Sequence, residues 1–449
     1  MCAIFMIEGK SNMTGNIIKK MIADVYLLRR NYVSDDLQKA IDVLADYSDV
    51  SHVDHKFRSG MEYNGWVVPK KWEVKEAKIF HKQKVVYDAI KHPLGVAMQS
   101  CSFHGKLSLA GLKKHLFSAE NRPNAIPYHF RIQYRPWIKD WGICLPKSIQ
   151  NTFPDGEYEV VLRTAQTPGN MVVREFILPG ESKKTILFVA HIDHPGMAND
   201  DVSGCAVGIA LLNEIKKQYP QRNYTYKLIL TQEIVGSVFY LHGLTAKERK
   251  NVQYALFLEM LGNDNDLILQ SSLEGNTYFD TACTIALKHV SKSPRICGFR
   301  ESAGNDEIVF ESPGYEIPTP SISRWPYQEY HTSDDNMDII FEKKLEESLA
   351  FLLEIVYILE HDCYVKRNFS GLVSLANPKY NLYIDPGQIV DGPLNKNTAP
   401  VIFQYKMPRY LDGKHRISEI AEIFQLDFRW VYEYFQKMES KNLVTLEKN

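Results

Sequence analysis

The sequence contains no stretch of about 18 apolar residues, so it offers no membrane span. It carries almost no excess charge: 53 Lys and Arg stand against 54 Asp and Glu, a net charge of −1. That balance supplies no general pull toward nucleic acid or an anionic membrane. Cysteine is sparse. Its seven residues are scattered from Cys2 to Cys363 without CxxC spacing, which argues for reduced thiols and a cytoplasmic setting. The stretch Met1–Lys10 is too briefly apolar, and reaches Glu8 too soon, for a secretion signal. Neither an internal repeat nor a low-complexity segment is present. What is there is a soluble globular composition, 45% hydrophobic and 24% charged, spread over 449 residues. That length exceeds one ordinary core, so two or three domains are expected.

From Met13 to Tyr47 apolar residues recur at three- and four-residue spacing (Ile17, Ile18, Met21, Ile22), and a second such run covers Leu37 to Leu44. Both predict helices. From about Val53 to Ile149 short strand-like pieces alternate with polar turns: Trp66-Val-Val-Pro, Ala77-Lys-Ile-Phe and Gly95-Val-Ala-Met. Residues 157–164 and 171–178 predict a hairpin around Thr167-Pro-Gly-Asn. A strand–helix rhythm begins at Thr185. Strands are expected at 185–190, 226–231 and 254–258, helices at 203–218, 236–243, 277–291 and 342–360, with a long loop up to His331. Such alternation implies an α/β fold with a mixed, mostly parallel central sheet flanked by helices. A Pro-, Gly- and Asn-rich break falls between Pro378 and Pro400. Beyond it, Ile417–Phe424, Trp430–Met438 and Leu443–Leu446 read as helix, helix and closing strand, the order of a winged helix-turn-helix.

The chemistry concentrates where predicted strands end. The apolar run from Thr185 stops in His191, Asp193 and His194, and a Pro/Gly turn then delivers Asn199, Asp200 and Asp201. Glu233 and Glu259 follow the next two strands, and His331 lies in Glu329-Tyr-His-Thr-Ser-Asp-Asp-Asn. A parallel sheet carries successive strand ends to one edge, so these groups can converge. Imidazole with carboxylate is a ligand set for zinc and similar divalent ions. Two ions about 3.5–4 Å apart, sharing one carboxylate, would make water a nucleophile near neutral pH and polarise a carbonyl. Asp201 fits a helix N-terminal anion. Asp306 and Glu307, after Ser302-Ala-Gly-Asn, belong either to the rim of the site or to a solvated turn, with the turn slightly preferred. Trp325 and Tyr327 divide evenly between pocket lining and loop packing.

The order His-x-Asp, Asn-Asp-Asp-x-Ser-Gly, Glu before Gly-Ser, an acid before x-x-Gly, and Tyr-His resembles the bacterial di-zinc aminopeptidases. A closer resemblance is to aminopeptidase-like proteins associated with polysaccharide biosynthesis, carried by His194-Pro-Gly-Met-Ala-Asn-Asp, Glu233-Ile-Val-Gly-Ser, Glu329-Tyr-His-Thr-Ser-Asp-Asp-Asn and Asp412-Gly-Lys-His. The resemblance implies a zinc-peptidase-like catalytic domain (1–55 and 156–375), a small inserted β-rich domain (56–155), a linker (376–400) and a C-terminal winged helix (401–449). It implies one or two zinc ions. His191 would bind one, oriented by Asp193; Asp200 would bridge; Glu259 and His331 would complete the sites; Tyr330 would help polarise the substrate carbonyl. Two departures leave alternatives open. Where di-zinc enzymes carry adjacent glutamates, this chain has Gln232-Glu233, so Glu233 is either ligand or general base. His194 competes with His191 as the ligand.

These residues point to a metal-dependent amide hydrolase with aminopeptidase-like chemistry on a peptide or amide-bearing small substrate. Two alternatives belong to other classes. Gln232 favours a catalytically impaired zinc-peptidase-fold scaffold or ligand-binding protein. The C-terminal motif raises a winged-helix regulator. From Arg409 onward, however, seven basic residues meet seven acidic ones, whereas phosphate binding needs a basic face. Nucleic acid is therefore disfavoured as a partner, and the module is expected to serve interaction or structure, with self-association into a homo-oligomer one such use.

Overall fold

A computed structural model describes residues 11–130, 133–384 and 399–448. The chain divides into two compact units, one running to Gly275 and again over Arg295–Ala350, the other taking Asn276–Pro294 and Phe351 onward.

The first unit is built on an eight-stranded mixed sheet. Its strands are β1 (His52–Arg58), β2 (Asn170–Leu178), β3 (Thr185–His191), β4 (Thr225–Thr231), β5 (Val252–Leu258), β6 (Ile268–Gln270), β7 (Arg295–Cys297) and β8 (Ser321–Ser323). They lie in the order β1-β2-β4-β3-β5-β8-β6-β7. The central pairs β4/β3, β3/β5 and β5/β8 are parallel, as is β6/β7; β1/β2, β2/β4 and β8/β6 are antiparallel. Every residue of β3 is buried, which is why it reads as an unbroken apolar run. Alternation along the strands divides the core. Leu187, Val189, Ile229 and Phe257 face one cluster, with Val238 and Phe239 of the helix α4 (Val235–Gly243). On the opposite face, Gly208 of the helix α3 (Gly204–Gln218) rests on Leu228 and Leu258, where a Cβ would come within 2.8 Å of Leu228. The N-terminal helices α1 (Ser11–Val25) and α2 (Asp35–Ala45) fall where the periodicity predicts them.

Three local expectations change. Residues 157–164 and 171–178 do not pair with each other. The strand Glu157–Thr167 pairs with Lys71–His81 and Phe103–Ser108 in a separate four-stranded antiparallel sheet, while β2 pairs with β1 and β4. The Pro-Gly turn therefore hands the chain from one sheet to another. The segment leading to His331 is not one loop, since β7 and β8 lie inside it. Gly95 ends a short 3-10 turn, and Val96 makes only an isolated bridge to Ile143. The four-stranded sheet has its own core, including Trp72, Ile79, Leu94, Tyr158 and Val160.

In the second unit Tyr364–Arg367 is the central strand of an antiparallel sheet with Asp412–Arg416 and Val444–Glu447. Helices Tyr278–Val290, Ala399–Lys406, Ile417–Phe424 and Phe428–Ser440 accompany it. Phe403, Ile420, Val431, Phe435 and Met438 are buried among them. Most of the expected linker, residues 385–398, lies outside the described residues. The helix Glu342–His361 runs as anticipated. Among the described residues no helix is long and apolar enough to cross a membrane.

Candidate metal centre

Parallel register sets the site. His191 at the end of β3 lies level with Thr231 at the end of β4, and the Glu259 amide after β5 donates to Ile322 of β8 at 2.9 Å. The residues just beyond these strand ends therefore share one edge. The loop after β3 is held from below by Arg30, a fully buried side chain. Its guanidinium donates to the carbonyls of Ile192 (2.7 Å), Met197 (3.1 Å) and His194. From the other side Asp335 accepts the backbone N–H groups of Ala198 (3.0 Å), Asn199 (2.6 Å) and Asp200 (3.1 Å). Asp201 accepts from the amides of Gly204 (3.1 Å) and Met260 (2.9 Å), consistent with its expected place before α3. A Cβ at Gly204 would lie 2.5 Å from the Leu258 carbonyl, so only glycine lets α3 start this close to β5.

This scaffold brings three imidazoles to Asp200. Its Oδ1 is 3.2 Å from His191 Nε2 and 3.0 Å from His194 Nδ1, and its Oδ2 is 3.2 Å from His331 Nε2. Glu259 Oε1 is 3.6 Å from His191 Nε2. Behind the imidazoles stand two more carboxylates: Asp193 Oδ1 at 3.5 Å from His191 Nδ1, and Glu233 Oε2 at 3.1 Å from His194 Nε2. His191, His194 and Asp200 form one group whose ligand atoms all lie within 4.8 Å of one another; Asp193, His194 and Glu233 form a second.

The donor set fits a divalent cation. Both oxygens of Asp200, both nitrogens of His191, His194 Nδ1 and His331 Nε2 are buried without a hydrogen-bond partner, although they face one another closely. Two ligands about 2.0–2.2 Å from a tetrahedral zinc sit about 3.3–3.6 Å apart, near the separations seen here. The electrostatics agree. Burial would lower the His191 imidazole, but the carboxylates of Asp193, Asp200 and Glu259 raise it well above its ordinary value. Burial also opposes charge on His194, yet Asp200 and Glu233 carry it up to about 10. Burial pushes the Glu259 carboxyl up to about 7 despite His191. A cavity that drives protons onto its imidazoles is one that holds positive charge.

Each expected site residue has a definite place. Glu233 meets His194 and the Tyr134 hydroxyl through Oε2. Burial would raise its carboxyl, but His194, His191 and Tyr134 draw it down to about 2. Gln232 is fully buried, its amide donating to the Val172 carbonyl at 2.8 Å. The Tyr330 ring stacks on His331 with centroids 3.8 Å apart. Burial, then the charges of Asp200, Glu259 and Glu233, push its phenol up, so it stays a donor. Tyr327 packs inside the loop and donates to Asp335 at 2.7 Å; Trp325 lies edge-on to Tyr330. Asp306 and Glu307 are not a solvated turn. Both are fully buried, Asp306 accepting from the Ile234 amide (3.0 Å) and Glu307 from the Asn305 amide (2.6 Å). Asn305 in turn donates to Glu259 at 3.0 Å.

Sequence reading missed Arg30, Asp335, Asn305, Gln133 and Tyr134. Asp335 and Asn305 lay within phrases already singled out, and their proximity to His331 and Asp306 was the available signal.

A family model described as a domain of unknown function (DUF4910) matches residues 19–362. The chain belongs to that family. It is 25% identical over 425 residues to a Clostridium acetobutylicum protein named for polysaccharide biosynthesis and an aminopeptidase-like domain, covering 93% of this chain and 94% of that one. A crystal structure described as a peptidase from the same organism superposes with TM-score 0.83 at 24% identity, covering 98% of each chain. A zinc aminopeptidase from Bacillus subtilis matches with TM-score 0.59 and 13% identity, over 76% of this chain and 94% of that one. A peptidase M28 precursor from Shewanella amazonensis gives TM-score 0.54 and 13% identity, over 78% and 95%. The DUF4910 chain thus has an aminopeptidase-like homologue, and its mixed sheet flanked by helices has the zinc-aminopeptidase fold.

Proposed function

We propose that the chain is a metal-dependent amide hydrolase with aminopeptidase-like chemistry on a peptide or amide-bearing small substrate. The observation that carries this reading is the meeting of His191, His194 and His331 on one buried, otherwise unpartnered Asp200. In this reading His191, His194, Asp200, Glu259 and His331 hold one or two zinc ions, with Asp200 shared. Zinc there supplies a Lewis acid for the scissile carbonyl and makes water nucleophilic near neutral pH. Asp193 orients His191. Glu233 acts as the base rather than a ligand. Its Oε2 is taken up by His194 and Tyr134, and Oε1 accepts the proton of the attacking water and returns it to the leaving nitrogen. Tyr330 donates to the carbonyl oxygen as negative charge gathers there.

The test is zinc content together with turnover of aminoacyl amides. The expected result is bound zinc, hydrolysis, and a loss of about 10²–10⁴-fold in His331→Ala. Full zinc occupancy with no turnover of any aminoacyl amide would sink the reading. It would leave the impaired scaffold, which a glutamine at 232 in place of a glutamate favours.

For the second unit we propose a winged helix serving as an interaction or self-association module. The pairing of Arg429 with Glu354, and the placing of Arg416 over the rings of Tyr278 and Tyr364, support it by using up basic groups that phosphate would need.

A further inference from the structure

Residues 122–130 belong to the part of the chain inserted between β1 and β2, yet they are fastened to the His331 loop. Arg122 pairs with Asp334 (2.7 Å) and Glu329 (3.4 Å). The Ser333 amide donates to the Ile126 carbonyl, the Tyr128 amide donates to the His331 carbonyl, both at 2.8 Å, and Pro127 bridges Thr332. Tyr128 and Phe130 then set their ring edges against His331, with centroids 5.2 and 5.4 Å away. Immediately after, two side chains reach the carboxylates behind the other two imidazoles. Gln133 Nε2 donates to Asp193 Oδ2 at 3.1 Å. Its amide is aimed by the Tyr128 hydroxyl, which donates to Gln133 Oε1 at 2.9 Å. Asp193 Oδ1 accepts the Glu233 amide at 2.8 Å and faces His191 Nδ1. Tyr134 donates its hydroxyl to Glu233 Oε2, the atom that faces His194 Nε2.

A carboxylate only accepts, so a carboxylate fixed behind an imidazole keeps the proton on the near nitrogen and turns the far lone pair forward. His191 Nε2 and His194 Nδ1 are those far atoms, and both face Asp200 Oδ1. We propose that Gln133 and Tyr134 are positioning residues of the metal centre, so that the inserted segment sets the direction of both imidazoles and thereby the zinc affinity. This deepens the hydrolase reading and rests on it.

The full chain is tested by competition with a chromophoric zinc chelator, alongside steady-state kinetics on an aminoacyl amide. Partners behind metal-ligating histidines are worth about 10–100-fold in metal affinity. Gln133→Leu, similar in size, is expected to weaken zinc binding about 10-fold or more, together with a lower thermal midpoint of the zinc-free protein because the Tyr128 hydroxyl loses its buried acceptor and Asp193 its buried donor. Tyr134→Phe, which removes only the hydroxyl, is expected to lower zinc affinity and kcat while leaving KM in place. Tyr128→Phe, a milder variant, shows a smaller loss in the same direction and serves if Gln133→Leu does not fold. Wild-type zinc affinity and kcat in Tyr134→Phe and Tyr128→Phe would overturn the inference while leaving the hydrolase standing. A wild-type protein that takes up no zinc would overturn both.

Discussion

In the first unit Asp200 is buried beneath three histidines, and neither of its oxygens has a hydrogen-bond partner. In the second, Glu354 is almost as deep, with a side chain 5% exposed. Yet Arg429 meets it with two nitrogens and lies over the Tyr357 ring, 3.6 Å from its centroid. Nearby, Lys288 pairs with Glu422 and His289 with Asp427. Burying a charge without a partner costs several kcal/mol, so a fold selected for stability alone pairs its charges off, as the second unit does. A cluster whose buried donors and acceptors face each other without hydrogen bonds has the arrangement that the proposed metal centre would need. The contrast separates a binding centre from a structural network more sharply than residue type, because both regions draw on histidine, aspartate and glutamate.

The largest effect expected from breaking the contrast lies at Asp335. It is buried and polar like Asp200, but it is satisfied by three backbone amides and Tyr327. Asp335→Ala strands the buried N–H groups of Asn199 and Asp200 at about 1–3 kcal/mol each, less than additively, while the Ala198 N–H keeps the Asp335 backbone carbonyl. A loss of about 3 kcal/mol in urea unfolding is expected, together with loss of zinc, since the Asn199–Asp200 turn is released. Asp335→Asn keeps one acceptor and should fall between. A variant that unfolds like wild type and keeps its zinc would show that the turn holds itself.

Gln232→Glu has a smaller effect and separates the two readings of the site. Gln232 is fully buried, and its amide donates to the Val172 carbonyl. A carboxylate cannot donate there, so about 1–3 kcal/mol of stability is expected to go, with no gain in turnover. A gain in turnover would instead mean that the side chain swings into the site and that the native chain is the impaired scaffold.

Legibility followed the range of the interactions. β3 was plain because burial on both faces writes an apolar run into adjacent residues, and the convergence of His191, Asp200, Glu233, Glu259 and His331 could be anticipated because groups that follow parallel strands share an edge. β7 and β8 escaped because three residues are too few to show a period. The Thr167-Pro-Gly-Asn turn was recognised, but a turn does not say to which sheet its second arm belongs. Asp306 and Glu307 looked solvated because their partners are backbone amides and Arg300, which no side-chain pattern reports. Gln133 and Tyr134 sit in no motif. Their roles arise only because Ile126 and Tyr128 join the His331 loop some two hundred residues away.

The smallest effect sits in the second unit, at His289 and Asp427, whose side chains are 33% and 38% exposed and 2.8 Å apart. The bond to Asp427 raises the His289 imidazole above its ordinary value. Burial pushes the Asp427 carboxyl up, but the bond to His289, the Trp430 amide and the charges of His289 and Arg429 together hold it below its ordinary value. A raised histidine gives stability that is complete below its unfolded pKa of about 6.5 and fades as pH climbs through the folded value. A lowered aspartate gives stability that is complete above its unfolded pKa of about 3.9 and fades as pH falls through the folded value. The pair therefore contributes most between about pH 4 and 6.5. His289→Ala should cost about 0.2–1 kcal/mol in that window, less in high salt because the pair is exposed, and progressively less as pH rises beyond it. Urea unfolding of the full chain across pH checks this, read on the phase that reports the second unit. A cost independent of pH and salt would mean that the imidazole acts there through packing, and that the paired charges of this unit contribute nothing beyond their shape.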